Sequence, residues 1–263
     1  MLGKEIITEN KKRKIVLSPH FDDFAISLGG TALIWNDKKR DVEDWVVFSK
    51  SNYLPNDESG KKNNLQNPVK YISSVRYKEE LRAAKKLGAH KVKLLGGKEV
   101  PVRETVSTLK FHKHGFPYGF DKERDESTLK EIKEKIEYIF WEDVQIYIPL
   151  AIQDHTDHLI TRRAASTFLL KKKRRSQIFF YEDIPYAIQA SKEEKKMTEA
   201  FIESYGLIPV NIPIDIEKKV EIFNCYTSQN PERYKVNTSR RAWEIGKSEP
   251  CERLYYMPEY DNE

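Results

Sequence analysis

Apolar residues along this chain arrive either as short continuous runs or as rows at helical spacing, and the two kinds alternate. "KIVLS" (14–18) is a run of strand length and predicts a buried strand. "FAISLGGTALIWNDKKR" (24–40) follows with helical periodicity. Gly29 and Gly30 would weaken a free helix, so they predict close packing of this helix on a sheet. Further strands are expected within 44–50, 90–97, 144–150 and 177–186. Between them lie helical patterns over 75–88, closed by Gly88, over 127–142, capped by Ser127, and over 159–173. This alternation predicts βαβ units, hence an α/β fold with a mostly parallel sheet. Ligands of such sheets collect beyond the carboxyl ends of the strands.

The pattern is weaker in the last third. "VNIPI" (210–214) reads as a strand and 214–229 as a helix. The tail from Asn230 mixes Pro, Tyr and charge. Residues 51–68 form a long polar loop, and 107–125 are irregular and rich in His, Phe, Tyr and Gly. No repeat, low-complexity stretch or boundary interrupts the chain. One domain over 1–263 is expected, with an extension from about residue 230.

Composition narrows the partners. Against 46 basic residues stand 41 acidic ones, so the net charge of +5 belongs to a mixed surface and not to a polycation. "KKRK" (11–14) and "KKKRR" (171–175) are too short for a nucleic-acid stripe and read as solvated ends of elements. Cys225 and Cys251 form no CxxC pair and read as reduced thiols. The N-terminal stretch lacks the apolar core of a signal peptide, and no segment approaches the ~20 apolar residues of a membrane span. The expectation is a cytoplasmic protein with no nucleic-acid or membrane partner; a homo-oligomer is compatible with it.

Two clusters carry the chemistry. "PHFDD" places His20, Asp22 and Asp23 just after the first strand, and "QDHTDH" places His155, Asp157 and His158 after the strand at 144–150. Zinc takes both imidazole and carboxylate, at roughly 2.0–2.2 Å, and a catalytic zinc keeps three protein ligands and one open position. His20 and one aspartate supply two ligands, and His155 or His158 the third. The remaining aspartate is a natural general base beside the metal. Asp157 is placed to orient a neighbouring imidazole. Taken singly, an Asp after a strand is more often a helix cap, and His90, His112 and His114 read as surface or loop residues. The conjunction of two His/Asp clusters, each behind a strand, is what points to a metal site.

"SPHFDD" with a distant "HTDH" resembles the PIG-L/LmbE-type zinc N-deacetylases, which show P-H-x-D-D and H-x-D-H in this order and context. "SVRYKEELRAAKKLG" is similar to their R-x-x-E helix, and "FYEDIPY" and "YTSQ" are weaker likenesses. The resemblance implies a Rossmann-like three-layer sandwich and removal of acetyl groups from N-acetylglucosamine moieties. It further implies that His20, Asp23 and His158 bind one zinc per chain, with another divalent ion such as Fe2+ compatible with the ligands. Asp22 would be the general base. His155 would serve the oxyanion or the leaving amine, with Asp157 orienting it. Arg76 would reach an amino-sugar substrate, its alternative being a surface ion pair with Glu79 or Glu80. Two positions depart from the pattern: Phe24 stands where many members have Glu, and Gln153 where some have Tyr. An amide at Gln153 still donates to an oxyanion. The competing class is a metal-dependent phosphoesterase on a small anionic substrate, but its two-metal sites usually collect more bridging carboxylates than this chain offers.

Overall fold

Lys14–Ser18 (β1) has no solvent face, because it lies in the middle of a sheet covered on both sides. The computed structural model describes residues 2–56, 66–104, 109–113, 115–171, 174–184 and 186–258. His114, residues 57–65 of the polar loop, Lys172 and Lys173 of the second basic run, and the tail from 259 lie outside the described residues.

Around β1 the strands are Val42–Val46 (β2), Lys91–Leu94 (β3), Gln145–Pro149 (β4), Gln177–Tyr181 (β5), Ile208–Pro213 (β6) and Cys251–Tyr256 (β7). Their order is β3-β2-β1-β4-β5-β7-β6. The first five are parallel, and β7 runs antiparallel to both β5 and β6. The helices are Leu2–Thr8 (α1), Asp23–Asp37 (α2), Pro68–Lys86 (α3), Val100–Arg103 (α4) and Lys122–Ile136 (α5). They continue with Thr156–Ser166 (α6), Tyr186–Gln189 (α7), Lys192–Ser204 (α8), Ile216–Ile222 (α9) and Pro231–Gly246 (α10). One apolar core joins Ile15 and Leu17 to α5 and α6; a second joins Val16 to α2, α9 and α10. The result is the α/β fold with a mostly parallel sheet that the pattern predicts, in the three-layer sandwich that the resemblance implies. The chain leaves β1 towards β2 and β3, then returns to β4 and β5 on the other side. The strand order therefore reverses between β1 and β4, where a crevice opens at their carboxyl ends.

Several expectations change in detail. α5 is capped by Asp121, whose side chain accepts from the Arg124 amide, not by Ser127. α6 stops at Ser166, before the second basic run. The tail from Asn230 forms α10 and β7, and β7 belongs to the sheet. Lys14, expected in solvent, is fully buried; Nζ donates to the carbonyls of Asn10 and Lys12, and burial lowers its pKa to about 8. Gly30 answers the packing expectation, but from another direction. A Cβ there would stand 2.6 Å from Ile214, just past β6, and its amide donates to Glu252 of β7.

Asp44 of β2 and Glu80 of α3 are both buried. Ser18 Oγ donates to Asp44 Oδ1 at 2.5 Å, and Tyr226 Oη to Glu80 Oε2 at 2.9 Å. The other oxygen of each has no hydrogen-bond partner among the described residues, and Asp44 adds to the burial that raises Glu80. Burial pushes Asp44 up to about 7 and raises Glu80 well above the carboxylate range. Because the folded pKa values are raised, the pair stabilises the protein most at low pH. That contribution is lost as pH rises from the ordinary carboxylate range through about 7. Asp44→Asn should therefore gain stability relative to wild type as pH rises, by on the order of 1 kcal/mol per pH unit. Urea unfolding of both proteins between pH 5 and 8 checks this; parallel curves would rule out the raised carboxyl pKa.

Candidate metal centre and active site

The turn after β1 and the loop after β4 bring the two motifs together. His20, Asp22 and Asp23 lead into α2, and the His20 amide donates to Asp23 Oδ2 at 2.7 Å. The loop after β4 holds Ala151, Gln153 and Asp154 at positive φ (55°, 63° and 50°), a strained run for residues with a Cβ. The Ile152 amide donating to Asp183 Oδ2 and Arg162 donating to the Leu150 carbonyl hold that run in place. His155 then caps α6, its Nδ1 accepting the Asp157 amide at 3.3 Å.

Ligand atoms of His20, His155 and His158 lie within 4.8 Å of one another, all buried. Asp23 Oδ2 stands 3.5 Å from His20 Nδ1 and 3.4 Å from His158 Nε2. These separations equal the edge of a tetrahedron, about 3.3–3.6 Å, whose centre lies at zinc-ligand distance from each corner. The hydrogen bonds sort the imidazole nitrogens. His158 Nδ1 is bonded to Asp183, and its Nε2 is buried with no hydrogen-bond partner among the described residues. His20 Nε2 is bonded to Asp157 Oδ2 at 3.1 Å, so its Nδ1 faces Asp23. His155 is the reverse case. Its Nδ1 accepts, so in the neutral ring the proton sits on Nε2. The residues present thus fit a metal ion by an orphaned acceptor and by the chemistry of the donor set.

Burial opposes charge on every group here, and the neighbours decide the outcome. Asp157 and Asp23 overcome burial and raise the His20 pKa well above the ordinary value. Burial and the adjacent His158 and His20 push His155 far down. Asp23 falls to about 2 despite burial, because His158 and His20 face it. Asp157 is likewise held low against burial, chiefly by Arg103.

Asp22 lies in the same cavity with both oxygens held: Arg76 donates to Oδ1 at 3.2 Å, and Tyr234 of α10 to Oδ2 at 3.1 Å. Arg76 also donates to Glu99 at 2.7 Å and to Ser51 Oγ at 3.0 Å. It lines the cavity, and its ion pairs are with Asp22 and Glu99, not with Glu79 or Glu80. Those two carboxylates tether the "YTSQ" stretch instead: Glu80 receives Tyr226, and Glu79 receives Thr227 and Ser228. Two expected contacts differ. The Asp157 carboxylate bonds His20 rather than His155, because His155 turns its Nδ1 to the helix amide. Gln153 does not line the cavity. The left-handed loop turns its amide to Glu194 of α8, at 3.2 Å. His90 pairs with Asp41 at the surface as expected, whereas His112 bonds Glu194 and stacks on Phe116, which stacks on His155.

The cavity above these groups has a volume of about 430 Å³ and is lined by aromatic rings including Tyr53, Phe116, Tyr186 and Tyr234. Sequence spacing missed Asp183, Glu99, Tyr186 and Tyr234. Asp183 and Tyr186 carried a weak signal, both lying in the "FYEDIPY" stretch; Glu99 and Tyr234 carried none.

Known structures share this fold. A deacetylase of the teicoplanin biosynthesis pathway superposes with a TM-score of 0.70 at 19% identity, over 95% of this chain and 100% of its own. The N,N'-diacetylchitobiose deacetylase of Pyrococcus horikoshii gives 0.64 at 18%, over 97% and 87%. A 4-carboxy-2-hydroxymuconate hydratase from Pseudomonas putida gives 0.59 at 14%, over 97% and 99%, so the fold alone does not fix the reaction. No curated protein matches the chain. The sequence model of the PIG-L family, described as GlcNAc-PI de-N-acetylase, matches residues 15–169, a span that runs from β1 through both His/Asp motifs, and the chain belongs to that family.

Proposed function

We propose that the protein is a zinc-dependent N-deacetylase that releases acetate from an N-acetylglucosamine-containing small molecule or glycan intermediate. The observation that carries this reading is the orphaned Nε2 of His158, 3.4 Å from Asp23 Oδ2, within the span matched by the family. His20 Nδ1, Asp23 Oδ2 and His158 Nε2 would hold the ion. Zinc there supplies a Lewis acid that acidifies water and polarises an acyl oxygen.

The chain's own groups do the rest. Asp22 is the carboxylate left over for proton transfer, and Arg76 and Tyr234 fix its direction. It takes a proton from water as the water oxygen bonds to the acetamide carbon. His155 Nε2–H donates to the acyl oxygen where negative charge develops. The proton held by Asp22 passes to the nitrogen as the C–N bond breaks, and the remaining hydroxyl proton leaves the acetic acid, giving acetate and the protonated amine. Tyrosine and phenylalanine faces around the cavity suit the apolar face of a sugar ring.

Acetate release from a panel of N-acetylglucosamine conjugates should disappear with chelator and return with zinc. Hydrolysis of phosphoesters but of no acetamide would replace this reading with the phosphoesterase one. Asp22→Asn should keep zinc at one per chain and lose about 10²–10⁴-fold in turnover; His158→Ala should lose the zinc itself. Equal zinc loss in both variants would merge roles that are kept apart here. Because Asp157 and Asp23 raise the metal-free His20 pKa well above its ordinary value, zinc competes with a proton there, and affinity should fall as pH is lowered. Calorimetry at pH 7 in buffers of different ionisation enthalpy measures that proton; none released would remove His20 Nδ1 from the ligand set.

A further inference from the structure

Behind His20 stands a second layer that the mechanism does not use. Asp157 Oδ2 faces His20 Nε2 at 3.1 Å and receives the Val100 amide at 3.2 Å. Its other oxygen, Oδ1, receives Arg103 Nη1 at 2.7 Å. Both side chains are buried, 8% exposed for Arg103 and 1% for Asp157. Arg103 is outside the cavity lining, so it does not face a substrate. Its guanidinium lies 5.2 Å from the centre of the Phe48 ring, and Nη1 also donates to the Lys98 carbonyl. A second carboxylate, Asp125, is 3.5 Å from Nη2, but it is already bonded by Arg124 and by the Asp121 amide. Nε and Nη2 of Arg103 have no hydrogen-bond partner among the described residues. Idle buried donors are costly. What offsets them is charge: without Arg103, the buried Asp157 carboxylate would keep only the His20 imidazole beside it.

We propose that Arg103 is a positioning residue for the metal centre: by pairing with Asp157 it holds the His20 ring with Nε2–H turned away from the cavity and Nδ1 turned towards Asp23. This rests on the reading of His20, Asp23 and His158 as ligands. Arg103 touches neither substrate nor metal and acts through Asp157 alone.

The test is zinc affinity of the metal-free protein, measured by competition with a chromophoric chelator on Arg103→Met, Arg103→Lys, Asp157→Asn and the Arg103→Met/Asp157→Asn double variant. Circular dichroism reports the folded fraction of each. Arg103→Met should weaken zinc binding by about 10–100-fold, the usual effect of removing a group that orients a ligand. Arg103→Lys, which keeps the charge, should recover part of the loss. The double variant should bind no more weakly than the weaker single variant, because both changes break one relay. Should Arg103→Met not fold, Arg103→Lys against Asp157→Asn carries the comparison. Zinc affinity within twofold of wild type in Arg103→Met, or losses that add in the double variant, would overturn the role of Arg103 alone. Wild-type protein that takes up no zinc would overturn both this inference and the metal-site reading beneath it.

Discussion

A buried donor or acceptor must find a partner, and where β1 meets β4 that demand selects almost every polar side chain. Asp183 is used up by His158 and the Ile152 amide, Asp157 by His20, Arg103 and the Val100 amide, and Glu99 by Arg76 and Ser51. Once these pairs are formed, His158 Nε2 remains, among the described residues, without a hydrogen-bond partner beside Asp23 and His20. An unmet group of this kind costs about 1–3 kcal/mol. A fold that keeps it has left room for something positive.

The parts of this arrangement legible in the sequence are those set by consecutive residues. β1 and the turn carrying His20, Asp22 and Asp23 follow one another within ten positions, so run, strand end and polar cluster appear together. The same holds for β4 with His155 and His158. Contacts made across the chain left no such trace. Asp183 reaches His158 over 25 positions and Tyr234 reaches Asp22 over 212, and no periodicity connects them. Asp121 and Ser127 are equally able to cap a helix, so composition could not choose between them. Lys14 misleads for a different reason: charge runs are usually solvated, but the centre of a doubly covered sheet offers no solvent. Gln153 was placed correctly along the chain and wrongly in space, because three left-handed residues turn it towards α8.

The family match ends at residue 169, yet the site does not. Asp183, which orients His158, and Tyr186 and Tyr234, which line the cavity, come from beyond it. The matched span brings the residues proposed as ligands, and the remainder supplies Asp183 behind one of them and much of the cavity wall.

β7 lies between β5 and β6, although it follows both in the chain. β6 meets the sheet through β7. Glu252 of β7 also receives the buried Lys219 and the amides of Gly30 and Thr31 in α2. During synthesis, then, β5 keeps an open edge, β6 has no strand to join, and Lys219 has no counter-charge until residues 251–256 leave the ribosome. A nascent chain with both metal motifs already exposed is still an unfinished sheet, with an unpaired edge of the kind that recruits other chains.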